Sequence, residues 1–194
     1  KHPLVGQSPY SASKIAADQL AHSYWASFGL PVTTLRPFNA YGPRQSQRAF
    51  IPSVMVQVLG GVSQLKLGSL TPTRDLTYVK DTAQGFVKAL ESEAGLGEVF
   101  NMGSGFEISM GDVVDMIRTM SSQSFDVVED AERVRPNTSE VERLWSDSTR
   151  MKNTFDWSPA HAHKEGLLQG LEKTYEWFSH YFNGPGYQTS SYVV

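Results

Sequence analysis

Tyr10 and Lys14 stand four residues apart in the run Tyr10-Ser11-Ala12-Ser13-Lys14. On a helix that spacing puts a phenol and an amine on one face, one turn apart. A free tyrosine keeps its proton until about pH 10 and makes a poor base at neutral pH. An ammonium held beside it favours the phenolate and draws the group toward the working range. The pair is a candidate proton-transfer device. The competing reading is an ordinary helix with a surface tyrosine and a solvated lysine, because the spacing alone is common. Arg74 and Arg135 suggest a second chemistry, since guanidinium forks match the oxygens of a diphosphate two at a time. A salt bridge from Arg74 to Asp75, and a solvated turn at Arg135-Pro136, are the local alternatives. Asn39 is either a ligand contact or an Asx-turn residue that only shapes its loop. The five histidines show no metal-ligand spacing: His161 and His163 lie two apart with no cluster to complete a site. No metal is expected.

Elements of the right kind surround these residues. Ser8 is a good N-cap, and Pro9 suits a first helical turn. Ile15, Ala16, Leu20 and Tyr24 then recur at helical spacing until Gly29. Residues 31–36 are rich in β-branched residues and read as a buried strand, so 39–43 form the loop at its C-terminal end, the edge where open parallel sheets bind ligands. The pattern continues with a helix over 50–59 and strands at 65–67 and 76–79. Asp81 is expected to cap a helix over 82–91, followed by a strand at 98–102. Ser109 opens a helix with Asp112 in a capping-box position. After a strand at 125–128 and a polar stretch at 129–141, Asp147 caps a short helix ending near Phe155. An amphipathic helix over 163–182 and an irregular tail, whose end at 192–194 could dock as an extended segment, complete the chain. Tyr24, Trp25, Trp145, Trp157, Trp177 and Phe178 are expected to be core residues. Helices alternating with strands predict an α/β fold.

The chain has 194 residues, a formal charge of −3 and no cysteine. Its length allows a real core and about one domain. Interspersed charge argues against nucleic acid or a membrane surface as partner, and no apolar run is long enough to span a bilayer. Disulfides are excluded. The first residue is Lys and no signal-like stretch follows, which reads as part of a longer, cytoplasmic protein.

Four blocks in order then carry a specific resemblance: Tyr10 to Lys14, Leu35-Arg36-Pro37-Phe38-Asn39-Ala40-Tyr41-Gly42-Pro43-Arg44, Arg74-Asp75-Leu76-Thr77-Tyr78-Val79, and Arg135-Pro136 with Ser139-Glu140-Val141. Together they resemble the extended short-chain dehydrogenase/reductase family, which modifies nucleotide sugars. The resemblance implies the C-terminal part of a Rossmann-type doubly wound parallel sheet plus a smaller mixed α/β substrate-binding domain. On that basis residues 1–40 end the dinucleotide-binding domain. Residues 41–194 are mainly substrate-binding, with about 76–102 returning to the Rossmann sheet. The resemblance further implies NAD as cofactor, with Tyr10 as the proton acceptor and Lys14 on the nicotinamide ribose. Tyr10, Lys14 and Pro37 then face the cofactor. Asn39, Arg48, Leu67, Arg74, Arg135 and Glu140 face the substrate. Ala49 and Lys66 line the same pocket in part through backbone groups, Arg44 joins the phosphate cluster or anchors its loop, and Tyr41-Gly42-Pro43 scaffold that loop. Glu140 stands further from the arginine than the acidic residue of many relatives does. The implied partner is a UDP-sugar, the implied assembly a homodimer through the first helix. Within the family the blocks look most like the 4,6-dehydratases acting on UDP-N-acetylglucosamine. The family's glycine-rich loop and the Asp-Glu couple of a dehydratase fall in an N-terminal half that these residues do not include. A 4-epimerase or decarboxylase therefore stays open, as does a nucleotide-sugar binding module. The isolated chain is expected neither to bind NAD tightly nor to turn over.

Overall fold

A computed structural model describes residues 3–133 and 140–182. The Arg135-Pro136 turn and the tail end at 192–194 lie outside the described residues. In chain order the elements are α1 (Pro9–Phe28), β1 (Thr34–Pro37), β2 (Ala40–Tyr41), α2 (Phe50–Leu59), β3 (Gln64–Leu67), β4 (Thr73–Asp75) and β5 (Thr77–Tyr78). There follow α3 (Val79–Leu90), β6 (Val99–Met102), β7 (Glu107–Ser109), α4 (Met110–Ser121), β8 (Asp126–Glu129), β9 (Arg143–Leu144), α5 (Thr149–Phe155) and α6 (His163–Tyr181). β1 pairs with β6, β2 with β5 and β3 with β8, all parallel. β4 lies between antiparallel β7 and parallel β9. Parallel partners distant in sequence need crossovers, which the intervening helices supply. The α/β expectation holds.

Two cores follow from this layout. The larger packs α2, α4 and α6 on β3 and β5, with Val54, Met55, Val58, Leu65, Val113, Ile117, Leu171 and Phe178 fully buried. α2 is apolar nearly all round and buries seven of its residues, as a helix enclosed on every side must. The smaller core joins β6 to α5 through Phe100, Met102, Met151, Phe155 and Trp157. α1 is different, for it buries no residue at all. Its start is well made: the Ser8 hydroxyl accepts from Ser11 N at 3.2 Å, while Ser8 N donates to Ser11 Oγ at 2.9 Å. That is a capping box with serine in place of the usual glutamate.

Several expectations need correcting. Of the strand expected at 76–79 only Thr77 and Tyr78 are extended, Leu76 separating them from β4, and Val79 already belongs to α3. Asp81 does not cap that helix. The N-cap is Tyr78 with no side-chain bond, and the buried Asp81 carboxylate instead accepts from His161 N at 2.9 Å. A carboxylate in a first helical turn meets the helix dipole favourably in either role, so the local signal could not tell them apart. At α5 the N-cap is Ser148, although Asp147 Oδ1 still accepts from Thr149 N at 3.0 Å. Trp157 and Phe178 are core, whereas Tyr24, Trp25 and Trp145 are exposed. Among the described residues no helix is long and apolar enough to cross a membrane.

Candidate functional site

One cavity of about 370 Å³ opens between β2, the N-terminal end of α2, the end of β3 and β4. Asn39, Arg48, Leu67, Arg74 and Glu140 all line it, although they come from five separate stretches of chain. Strand geometry sorts Arg74 from its neighbour. Adjacent residues of β4 face opposite sides, so Arg74 turns toward the cavity while Asp75 turns inward and is fully buried. The alternative of a local ion pair between them is not what forms. Asp75 accepts from Ser104 N at 2.7 Å, Ser104 Oγ at 2.6 Å, Gly105 N at 2.9 Å and Ser146 N at 3.2 Å. Arg74 is held by Glu140 Oε1 at 2.9 Å and by the carbonyls of Thr73 and Val141 at 2.8 and 2.6 Å. Both side chains are mostly buried, at 15% and 16% exposure. Glu140, the weakest of the substrate candidates on spacing, is thus the direct partner of Arg74. Arg135 lies outside the described residues.

Asn39 sits where β1 has ended and β2 begins. Its Nδ2 donates to Asp75 O at 3.3 Å, and its own carbonyl accepts from Thr77 N at 3.1 Å. The residue is therefore fixed by β4 and β5. Gly42 follows at φ +150, and a Cβ there would lie 2.5 Å from Val79 Cγ1, so only glycine lets this loop pass α3. Arg44 is exposed and absent from the cavity wall. Leu67 is buried in the wall, and Ala49 joins it. Lys66 is turned outward, with its backbone N–H and carbonyl engaged by the buried Gln57 amide at 2.9 and 3.3 Å.

The structure adds residues that sequence reasoning missed. Arg133 lines the cavity as Arg74 does, bonding Ser53 Oγ at 3.0 Å and pairing with Asp130 at 3.3 Å. Its place in a polar run two residues before Arg135 was the available signal. Gln45 also lines the wall. Its Nε2 donates to Ala40 O at 2.7 Å, while its Oε1 is sealed from solvent without a hydrogen-bond partner. Three guanidinium groups against one wall carboxylate make the cavity suited to a polyanion, and Leu67, Leu76, Phe50 and Met110 give it an apolar part.

Tyr41 also lines the cavity, but it cannot serve as a base. Burial first, then the charges of Asp81 and Tyr78, push its phenol well above the ordinary range, and its hydroxyl donates to Leu167 O at 3.2 Å. Tyr10 is the contrary case. It is 72% exposed, with Lys14 Nζ 5.4 Å from its ring centre. Neither residue belongs to the cavity wall; both sit on the open α1. Pro37 ends β1 and is exposed. In donor chemistry a phenol and an ammonium are groups that would suit a ribose and a reacting hydroxyl. Among the described residues no strand-to-helix turn carries spaced glycines for a dinucleotide's diphosphate.

Comparison with known proteins places this geometry in a class. The profile of the family described as GDP-mannose 4,6 dehydratase matches residues 1–169. The chain belongs to that family, a branch of the NAD-dependent epimerase/dehydratase enzymes that act on sugar nucleotides. It is 30% identical over 179 residues to a UDP-glucose 4-epimerase of Mycolicibacterium smegmatis, covering 91% of this chain and 54% of that protein. Its fold resembles a dTDP-glucose 4,6-dehydratase of Bacillus anthracis solved with NAD, at TM-score 0.81 and 31% identity, covering 92% of this chain and 54% of the other. A UDP-glucuronic acid 4-epimerase of Bacillus cereus, solved with UDP-glucuronic acid and NAD, gives TM-score 0.81 at 29% identity, covering 93% and 57%. The chain spans about half the length of the relatives it matches.

Proposed function

We propose that this chain carries the substrate grip and the proton-transfer pair of an NAD-dependent nucleotide-sugar 4,6-dehydratase, with UDP-N-acetylglucosamine as its substrate. The observation that supports this most is the convergence of Asn39, Arg48, Leu67, Arg74 and Glu140 on one cavity. A surface of that composition takes a nucleoside diphosphate, the phosphates against the guanidinium groups and the base against Leu67. Arg74 acts as a fixed fork because Glu140 and two carbonyls hold it. Arg48, exposed at the rim, is the cation that adjusts. Asn39 orients the tether between phosphate and sugar.

Tyr10 receives the proton of the sugar's 4-hydroxyl, and the Lys14 ammonium stabilises the phenolate that this requires. Tyr10, Lys14 and Pro37 would hold the nicotinamide end of NAD, which would supply the hydride acceptor at carbon 4 and the hydride donor at carbon 6 of a reaction that eliminates water across carbons 5 and 6. Residues 1–40 and about 76–102 belong with the dinucleotide-binding domain, the remainder with the substrate domain; the parallel β1–β6 pair favours that division. The open face of α1, with Leu20, Tyr24 and Phe28 exposed, suits the homodimer interface.

A 4-epimerase is the second reading, favoured by the comparable likeness to epimerases and dehydratases. Product mass separates them. Incubation of the enzyme with UDP-N-acetylglucosamine should give a product lighter by one water; an isobaric product would assign epimerisation, and no conversion of any nucleotide sugar would leave a binding module.

A further inference from the structure

Asp18 continues the line of Tyr10 and Lys14 along α1, one further turn down the same face. Left to itself it would compete with the phenol for the Lys14 ammonium, since residues four apart on a helix form ion pairs. It does not do so here. Its carboxylate Oδ2 lies 2.5 Å from Arg36 Nε on β1, with side-chain exposures of 19% for Asp18 and 35% for Arg36. Among the described residues Lys14 makes no ion pair, and its Nζ stands over the Tyr10 ring.

The same contact places the helix. α1 buries no residue, so few contacts tie it to the sheet. One is the Asp18–Arg36 pair. Another is Trp25, whose ring lies where a Cβ on Gly97 would fall, within 2.7 Å. A third is the His22 ring nitrogen 3.4 Å from Gly97 O. Arg36 is one residue from Pro37 and three from Asn39, so the pair fixes the height of Tyr10 and Lys14 against the strand that leads to the cavity.

We propose that Arg36 and Asp18 are positioning residues for the proton-transfer pair: Arg36 sequesters the Asp18 carboxylate, which leaves the Lys14 ammonium to Tyr10. This rests on the reading of Tyr10 as the base. When Arg36 is lost, Asp18 turns to Lys14, the ammonium leaves the phenol, and the phenolate is destabilised twice, by the lost cation and by the freed anion.

The test is the pH profile of kcat/KM for UDP-N-acetylglucosamine with NAD, measured on the enzyme that carries this chain. Arg36→Met should move the ascending limb upward by about half to one pH unit and lower kcat more than it raises KM. Asp18→Asn should not move the limb upward. The double variant D18N/R36M should return the limb to the wild-type position. If Arg36→Met does not fold, Arg36→Lys, which keeps the charge and loses the fork, should give a smaller upward shift that Asp18→Asn abolishes. Equal losses of kcat in the two single variants with unmoved profiles would overturn the proposal, as would a double variant that stays shifted. Turnover surviving in Tyr10→Phe would remove the reading of Tyr10 itself. Unmoved profiles with an inactive Tyr10→Phe would remove only the brace.

Discussion

The cavity and α1 are built on opposite terms. Around the cavity the main polar wall residues are anchored by this chain: Arg74 by three acceptors, Asn39 by β4 and β5, Arg133 by Ser53 and Asp130. α1 carries the pair proposed for proton transfer, yet its side chains are half-buried or exposed throughout. A binding wall gains from rigid, preorganised forks. A proton-transfer residue must instead meet both cofactor and sugar, so its environment is completed by what binds beside it. The two halves of the proposed site should therefore fail in different ways.

The largest effect belongs to α1. Tyr10→Phe should lower turnover on the order of 10³-fold while leaving the thermal midpoint unchanged, because the side chain is 72% exposed; turnover and calorimetric melting check both halves. Next comes Asp75→Ala beneath the cavity. It strands four donors of the 104–105 and 146 backbone and hydroxyl, and urea denaturation should show a loss of about 3 kcal/mol or more. Here stability falls, whereas at Tyr10 it does not.

Arg74→Ala should weaken nucleotide-sugar binding by about 10- to 100-fold, near 1.5–3 kcal/mol for a charged hydrogen-bonded group, and spare NAD. Titration calorimetry with each ligand reads the difference; equal losses for both would mean a folding defect. The smallest effect is alkaline. Tyr41 holds its proton more tightly when folded than when unfolded, because burial opposes the phenolate. Its contribution is full below the unfolded value of about 10 and is lost as pH rises beyond it. The urea midpoint should fall as pH rises above about 10, and Tyr41→Phe should flatten that fall.

Much of this was legible in the residues. Ser8, Pro9 and Gly29 delimited α1, and the apolar run 50–59 gave α2 at its observed bounds, since caps and breakers act locally. Seven of the nine substrate and cofactor candidates stand in the four blocks, and five of the nine meet in the cavity. What stayed hidden depends on the third dimension. The partner of Arg74 is 66 residues away at Glu140, not next door at Asp75, and strand alternation decides between them. Asp81 looks like a cap until His161 is brought 80 residues across the chain to meet it. Leu20 and Tyr24 have core spacing and no core beneath them, because periodicity reports which face is apolar and not what covers it.

The most direct test of the account is a crystal structure of the protein with UDP. The diphosphate should sit within hydrogen-bonding distance of Arg74 and Arg48, with the uracil against Leu67 in the cavity between β2 and β4. UDP found elsewhere, with that cavity filled by solvent alone, would contradict it.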